Sequence, residues 1–421
     1  MLRRIKDGLQ RAGGSLAYRE FRLFYVAVVS ASMGNQIQRI VDLWVVYEMT
    51  GSTAYLALTG LARGVPIIVF SLAGGLIADR VDRRSFIMVM QLGSAAANLL
   101  LAALIVTGTV QLWHILLMSM VSSSFVAISA PARTAITPAL VPRNLLVNAF
   151  AFTGTAWKLA QIIGPALAGP MIAVAGSGVT YGFNGCVYLL SAAVMLFMSY
   201  RSVPATTGQS ALKSLVEALS FVKRESVIAV LVSMDVVAVF FGAYRILLPV
   251  IAVDLGMGAA GFGLFSSAPA LGAVLGAAAI MTWGDMRYKG VVVAGGILGY
   301  AACLAGLALS PWFLMSLAVV TLLGVFDAVQ TIPRNAVIQL LTPDPLRGRV
   351  SSFTRMLSVG MPGLGEAQMG VVAAVLGSAA TLLLAAAVCA GATLGMLGWR
   401  RDLRGANLGE SSRLDSAPAG Q

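Results

Sequence analysis

Residues 74–84 read GGLIADRVDRR, and from Asp79 to Arg84 only Val81 is uncharged. The stretch interrupts a chain of 421 residues that is 58% hydrophobic and 11% charged, with a mean hydropathy of +0.86. A water-soluble domain carries roughly a quarter charged residues, so this chain has too little polar surface to cover a globule. It is read as an integral membrane protein. Apolar runs flank the stretch, each longer than the roughly 20 residues needed to cross a bilayer. The cluster therefore marks a turn at a membrane face.

The same criterion along the chain gives twelve apolar runs, at 22–48, 53–78, 85–107, 111–131, 145–174, 180–200, 226–252, 259–283, 290–309, 312–333, 350–375 and 378–399. The expected fold class is an all-α integral membrane protein with twelve transmembrane helices in two pseudo-symmetric six-helix bundles. The expected organisation is a cytoplasmic segment 1–21, a bundle 22–200, a cytoplasmic linker 201–225, a second bundle 226–399 and a disordered cytoplasmic tail 400–421. In the linker, Leu212, Leu215, Val216, Leu219 and Val222 recur at helical spacing, which predicts a short amphipathic helix.

Cytoplasmic loops collect Lys and Arg. With the N-terminus inside, all but four of the 29 basic residues fall on that side, and the exceptions, Arg39, Arg63, Lys158 and Arg245, lie within spans. The external loops hold none, so both termini are expected in the cytoplasm, with the chain in the inner or plasma membrane. The basic N-terminus leads into a run long enough to remain as a spanning helix, and no cleaved signal is expected. The net charge of +12 sits in short breaks between spans. That placement points to the lipid bilayer as partner and away from nucleic acid.

The halves repeat. A shift of 201 positions pairs Arg133 with Arg334, Ala135 with Ala336, Leu140 with Leu341, Pro142 with Pro343, Leu145 with Leu346 and Phe152 with Phe353. Gly164/Gly365 and Gly169/Gly370 keep the register. A duplicated six-span unit implies a transporter whose halves rock about a central site.

In this setting GGLIADRVDRR resembles the loop between spans 2 and 3 of the major facilitator superfamily, roughly G-x-L-x-D-R-x-x-R-R, and the resemblance covers the whole chain. It implies the major facilitator fold and a cytoplasmic latch made by Gly75, Asp79, Arg80, Arg83 and Arg84. In that latch the Asp faces span 11, and the Arg residues face spans 4 and 5. Span 5, with Gly154, Gly164, Pro165 and Gly169, is similar to the glycine-proline motif of the superfamily's antiporters and implies export by exchange. With Trp44 to Ser52, Pro131-Ala-Arg133, Val141-Pro-Arg143-Asn and Pro362-Gly363, the chain looks most like the branch of siderophore (enterobactin) exporters and macrolide efflux proteins.

Ionisable groups inside spans are costly and by default mark a pathway. Arg39, Asp42, Arg63, Lys158, Asp235, Arg245, Asp327 and Glu366 are the candidates for proton coupling or for the substrate cavity. Arg39 and Asp42 share a helix face, as a neutral pair or as a proton-sensitive one. Asp235 has no partner within a turn, which suits a cationic substrate or a proton. Asp327 is placed to pair with Arg334. The expected function is a secondary active, proton-coupled antiporter that exports amphipathic small molecules, a drug or a siderophore, by alternating access. Alternatives are a lysophospholipid-type flippase and a non-transporting membrane sensor. A monomer is expected.

No phosphate cradle of the form G-x-x-x-x-G-K-[ST] and no nucleophile-base constellation occurs, so neither ATP-driven transport nor an enzyme is expected. The single histidine, His114, and the scattered Cys186, Cys303 and Cys389 suggest neither a metal site nor any cofactor.

Overall fold

A computed structural model describes residues 14–78, 80–201, 211–284 and 288–399, and among them every regular element is helical. A short 3-10 turn, Gly14–Ala17, leads into α1, Arg19–Thr50. There follow α2, Thr53–Ala78, α3, Arg83–Val106, α4, Leu112–Ile136, and α5, Leu146–Leu196. The linker helix α6 spans Ala211–Arg224. Then come α7, Ser226–Phe241, α8, Leu248–Asp254, α9, Gly258–Trp283, and α10, Lys289–Ala308. The last three are α11, Phe313–Leu341, α12, Asp344–Leu376, and α13, Ser378–Trp399.

Among the described residues ten segments are long and apolar enough to cross a membrane. One of them contains α5, which makes two crossings: at Gly176 the backbone turns through φ +82°, a left-handed conformation that favours glycine. Another runs through α7 and α8. Helix α1 is long enough but carries Asn35, Gln36, Gln38, Arg39 and Asp42, which lower its hydropathy. With α1 included, the crossings number twelve.

The run at 226–252 differs from the continuous span expected of it. It ends at Gly242, passes through a 3-10 turn at Tyr244–Leu247 and resumes as α8. A Cβ at residue 242 would stand 2.7 Å from the Tyr300 ring, and the Tyr300 hydroxyl donates to the Gly242 carbonyl at 2.7 Å. Non-helical backbone at membrane depth persists only where such donors satisfy it.

The chain forms two compact units. Unit 1 takes the residues up to Ala211 together with Gly258–Ser267. Unit 2 takes Leu212–Met257 and the chain from Ala268 onward. Within unit 1, α1 and α3 pack on α5 and α2 packs on α4; within unit 2, α10 packs on α11 and α13, and α7 on α12.

Lipid tails offer no hydrophobic drive for helix association, so small residues that let backbones approach carry the packing. At Gly164 a Cβ would meet Gln36 Cβ of α1 at 2.7 Å, and at Gly169 it would meet the Ala259 carbonyl at 2.6 Å. Pro165 lies buried between them.

The amphipathic helix expected in the linker is α6, and it docks on unit 2. Ala218 and Val222 pack with Ile228, Ile338, Val350 and Phe353, and Glu217 pairs with Arg349 of α12.

Candidate functional site

The charged turn divides its work among its residues. Asp82 caps α3, its Oδ2 accepting from the Ser85 amide at 3.0 Å and the Ser85 hydroxyl at 2.7 Å. Arg83 reaches the Ala135 carbonyl at the end of α4, at 3.5 Å. Arg84 donates to the Met195 and Leu196 carbonyls at 2.7 and 2.8 Å, where a cation complements the free carbonyls of a helix C-terminus. The superfamily pattern puts these arginines against spans 4 and 5; here Arg84 instead caps the end of span 6. Arg80 is exposed. Asp79 and the surroundings of the Gly75 position lie outside the described residues.

Inside unit 1 the centre of the candidate site is Asp42, which is completely buried. Partners reach it from other helices. Tyr181 of α5 donates to Asp42 Oδ1 at 2.6 Å, and Arg63 of α2 places Nη1 3.9 Å from Oδ2. Arg39 is half-buried on the same helix as Asp42, and Lys158 lies on an exposed part of α5. Gly154 of the antiporter-type motif is likewise exposed.

Neutral polar groups continue from Asp42 along the helix contacts. Asn184 donates to Asn98 Oδ1 at 2.8 Å, and Asn98 donates to Gln38 Oε1 at 3.2 Å, joining α5, α3 and α1. All three are buried. A search for charges alone passes over them, although Asn and Gln in apolar spans are a signal in their own right.

In unit 2 the acids sit differently. Asp235, without a partner on its own helix, is paired with Arg334 of α11 and accepts from the Ser358 hydroxyl of α12 at 3.2 Å. Arg334, which the sequence places to pair with Asp327, goes to Asp235 instead, and Gln330 Nε2 donates to Asp327 at 3.3 Å. Arg245 occupies the break between α7 and α8, within electrostatic reach of Asp327 and Glu366. Glu366 is buried in α12.

His114 accepts from the Gln111 amide at 3.0 Å and closes the N-terminus of α4. Among the described residues no three His, Cys, Asp or Glu side chains gather as a metal site.

Buried acids held by hydrogen bonds and cations across helices can change charge as the helices move. The sequence comparison shows which family carries them. The family model described as "Transmembrane secretion effector" matches residues 13–416. The chain belongs to this family. It is a major facilitator transporter of the enterobactin-exporter branch and a multi-pass membrane protein.

Similar curated proteins include the enterobactin exporter EntS of Citrobacter koseri, 27% identical over 327 residues, covering 76% of this chain and 77% of that protein. EntS of Escherichia coli O1:K1 is 26% identical over the same length and coverage. Among solved structures, a POT family transporter in complex with 5-aminolevulinic acid superposes with a TM-score of 0.75 at 11% identity, covering 92% of this chain and 97% of its own. A bacterial homolog of the human lysosomal transporter Spinster, inward-facing and unoccupied, gives 0.70 at 13% identity, with coverage of 95% and 99%. At these identities the structural likeness shows the fold alone.

Proposed function

We propose that this secondary transporter exports amphipathic small molecules across the cell's inner membrane by proton antiport, with Asp42 as the coupling acid. The observation that carries the proposal is the setting of Asp42, a fully buried carboxylate that accepts from the Tyr181 hydroxyl at 2.6 Å and has the Arg63 cation 3.9 Å away. Burial disfavours the charged form of a carboxylate and a nearby cation favours it. A change in the Arg63 separation during rocking therefore alters how readily the acid holds a proton. Asp235, in direct contact with Arg334, lacks that freedom.

In the cycle, a proton from outside neutralises Asp42 as substrate leaves, and the proton is released inward after the units rearrange. Similarity to the enterobactin exporters supports the export direction.

The test is reconstitution in liposomes with efflux of an amphipathic dye, measured with and without a pH gradient. Asp42→Asn is expected to abolish gradient-driven efflux while exchange of dye down its own gradient persists. Gradient-driven efflux that survives in Asp42→Asn removes Asp42 from the coupling role.

A further inference from the structure

We infer that unit 1 holds a binding site for an anionic oxygen group, a carboxylate by preference, at Arg133. The inference rests on the export reading above and names the chemistry of the exported molecule.

The 201-residue repeat supplies the argument. It carries Arg334 onto Arg133, Asp235 onto Gly34, Asp327 onto Val126, Ser358 onto Trp157 and Cys389 onto Tyr188. In unit 2 the arginine is neutralised by Asp235, which Ser358 holds in place. In unit 1 the arginine is retained and both acids are gone. Among the described residues the recorded hydrogen bonds of Arg133 go to neutral oxygens, the Val126 carbonyl at 3.3 Å and the Ser129 hydroxyl at 3.0 Å.

The space left by the acids is not simply refilled by hydrocarbon. A Cβ at Gly34 would lie 2.8 Å from the Tyr188 ring, so the phenol occupies that volume. Tyr188 is 2% exposed with Asn35 beside its hydroxyl, and Gln91 is 6% exposed with no hydrogen-bond partner for its Oε1. Both line one open-mouthed cleft with Arg133, Asn35, Ser94 and Trp157.

A half-buried cation without counter-charge is costly, and so is an orphaned polar atom. A ligand carboxylate supplies the missing counter-charge. The guanidinium fork matches its two oxygens, the Tyr188 hydroxyl donates to it, and Gln91 Oε1 accepts from a ligand N–H or O–H. Trp157 offers an aromatic face beside the same cavity.

The probe is benzoate, with benzamide as its neutral counterpart, titrated against the full chain in phosphatidylcholine nanodiscs with tryptophan fluorescence as readout. Benzoate is expected to bind saturably and benzamide not. Arg133→Gln should weaken benzoate about tenfold or more, and Tyr188→Phe several-fold, as lost hydrogen bonds to a charged group predict. The double variant Gly34→Asp with Tyr188→Cys rebuilds the unit 2 arrangement and should lose benzoate binding through an internal carboxylate.

A second arm adds phosphatidylglycerol. Benzoate binding to wild type that weakens as the phosphatidylglycerol share of the bilayer rises, while salt at matched ionic strength does not weaken it, identifies a lipid phosphate as an occupant of the same site. The inference is overturned if wild type fails to bind benzoate, if benzamide binds equally, or if Arg133→Gln binds benzoate as wild type does. Should Arg133→Gln fail to fold, the benzamide comparison and Tyr188→Phe decide. Dye efflux measured in parallel separates the two readings. Loss of gradient-driven efflux of a neutral dye with benzoate binding intact counts against the export reading only.

Discussion

Asp42 and Asp235 are both acids within spans, and the residues around them assign them different work. Asp235 neutralises a guanidinium that is itself buried. Its removal strands that charge, and breaking a buried pair costs about 3–5 kcal/mol. Asn at position 42 still accepts from the Tyr181 hydroxyl, and Arg63 is 13% exposed, so it reaches water at modest cost. Asp235→Asn is therefore expected to lower thermal stability clearly more than Asp42→Asn, as read by unfolding of the purified proteins. The reverse order would mean that the two acids have been assigned the wrong roles. The acids themselves were legible in the sequence because charge is rare in an apolar span. Their partners were not. Tyr181 lies 139 positions from Asp42 and Arg334 lies 99 from Asp235, and spacing along one helix carries no information about contacts across helices.

At the scale of elements, the punctuation of the sequence was readable and its consequences less so. The charged turn and the amphipathic period of 212–222 gave the α2–α3 connection and α6. The break after α7 was missed because Phe-Phe-Gly-Ala-Tyr-Arg reads as apolar continuation, and it is the Tyr300 ring on another helix that holds Gly242 in place. Two predictions belong here. The Glu217–Arg349 pair is about one-third exposed on each side, so Glu217→Ala should cost no more than about 1 kcal/mol. Ala218, by contrast, is fully buried in the same helix, and Ala218→Asp places an unpaired charge against Ile338 and Val350. Limited proteolysis near α6 should therefore accelerate in Ala218→Asp and hardly change in Glu217→Ala; equal rates would show that α6 is held by its charge and not by its packing. At the α1–α5 contact, Gly164→Val drives a branched side chain into Gln36 Cβ at 2.7 Å. Gln36 Cβ moves only with its backbone, so the variant should insert in lower yield and unfold at lower temperature than Gly154→Val, where a Cβ meets nothing within 4 Å.

For the whole molecule, the all-helical architecture, the twelve crossings and the transporter class could be derived from composition and repetition, because a bilayer enforces length and apolarity on every span. Orientation rests on a different argument, the confinement of Lys and Arg to one side, and it can be tested directly. On a background with Cys186, Cys303 and Cys389 replaced, single cysteines at Thr109, Ser177 and Ser378 should react with a membrane-impermeant maleimide in intact cells. Thr109 is the better choice in its loop because Gly108 has φ +70°, where a side chain is strained. Ser85, beside the charged turn, and Ser220, exposed on α6, should stay unlabelled until the membrane is opened. The argument has a sharp dependence on Arg80, Arg83 and Arg84, since these three fix the turn between the second and third spans on the basic side. Replacing all three with Gln removes that bias while leaving the Asp82 cap intact, so mixed labelling at Ser85 is expected in that variant alone. Labelling of Ser85 in intact cells without the replacement would invert the topology and, with it, the direction in which protons and substrate are proposed to move.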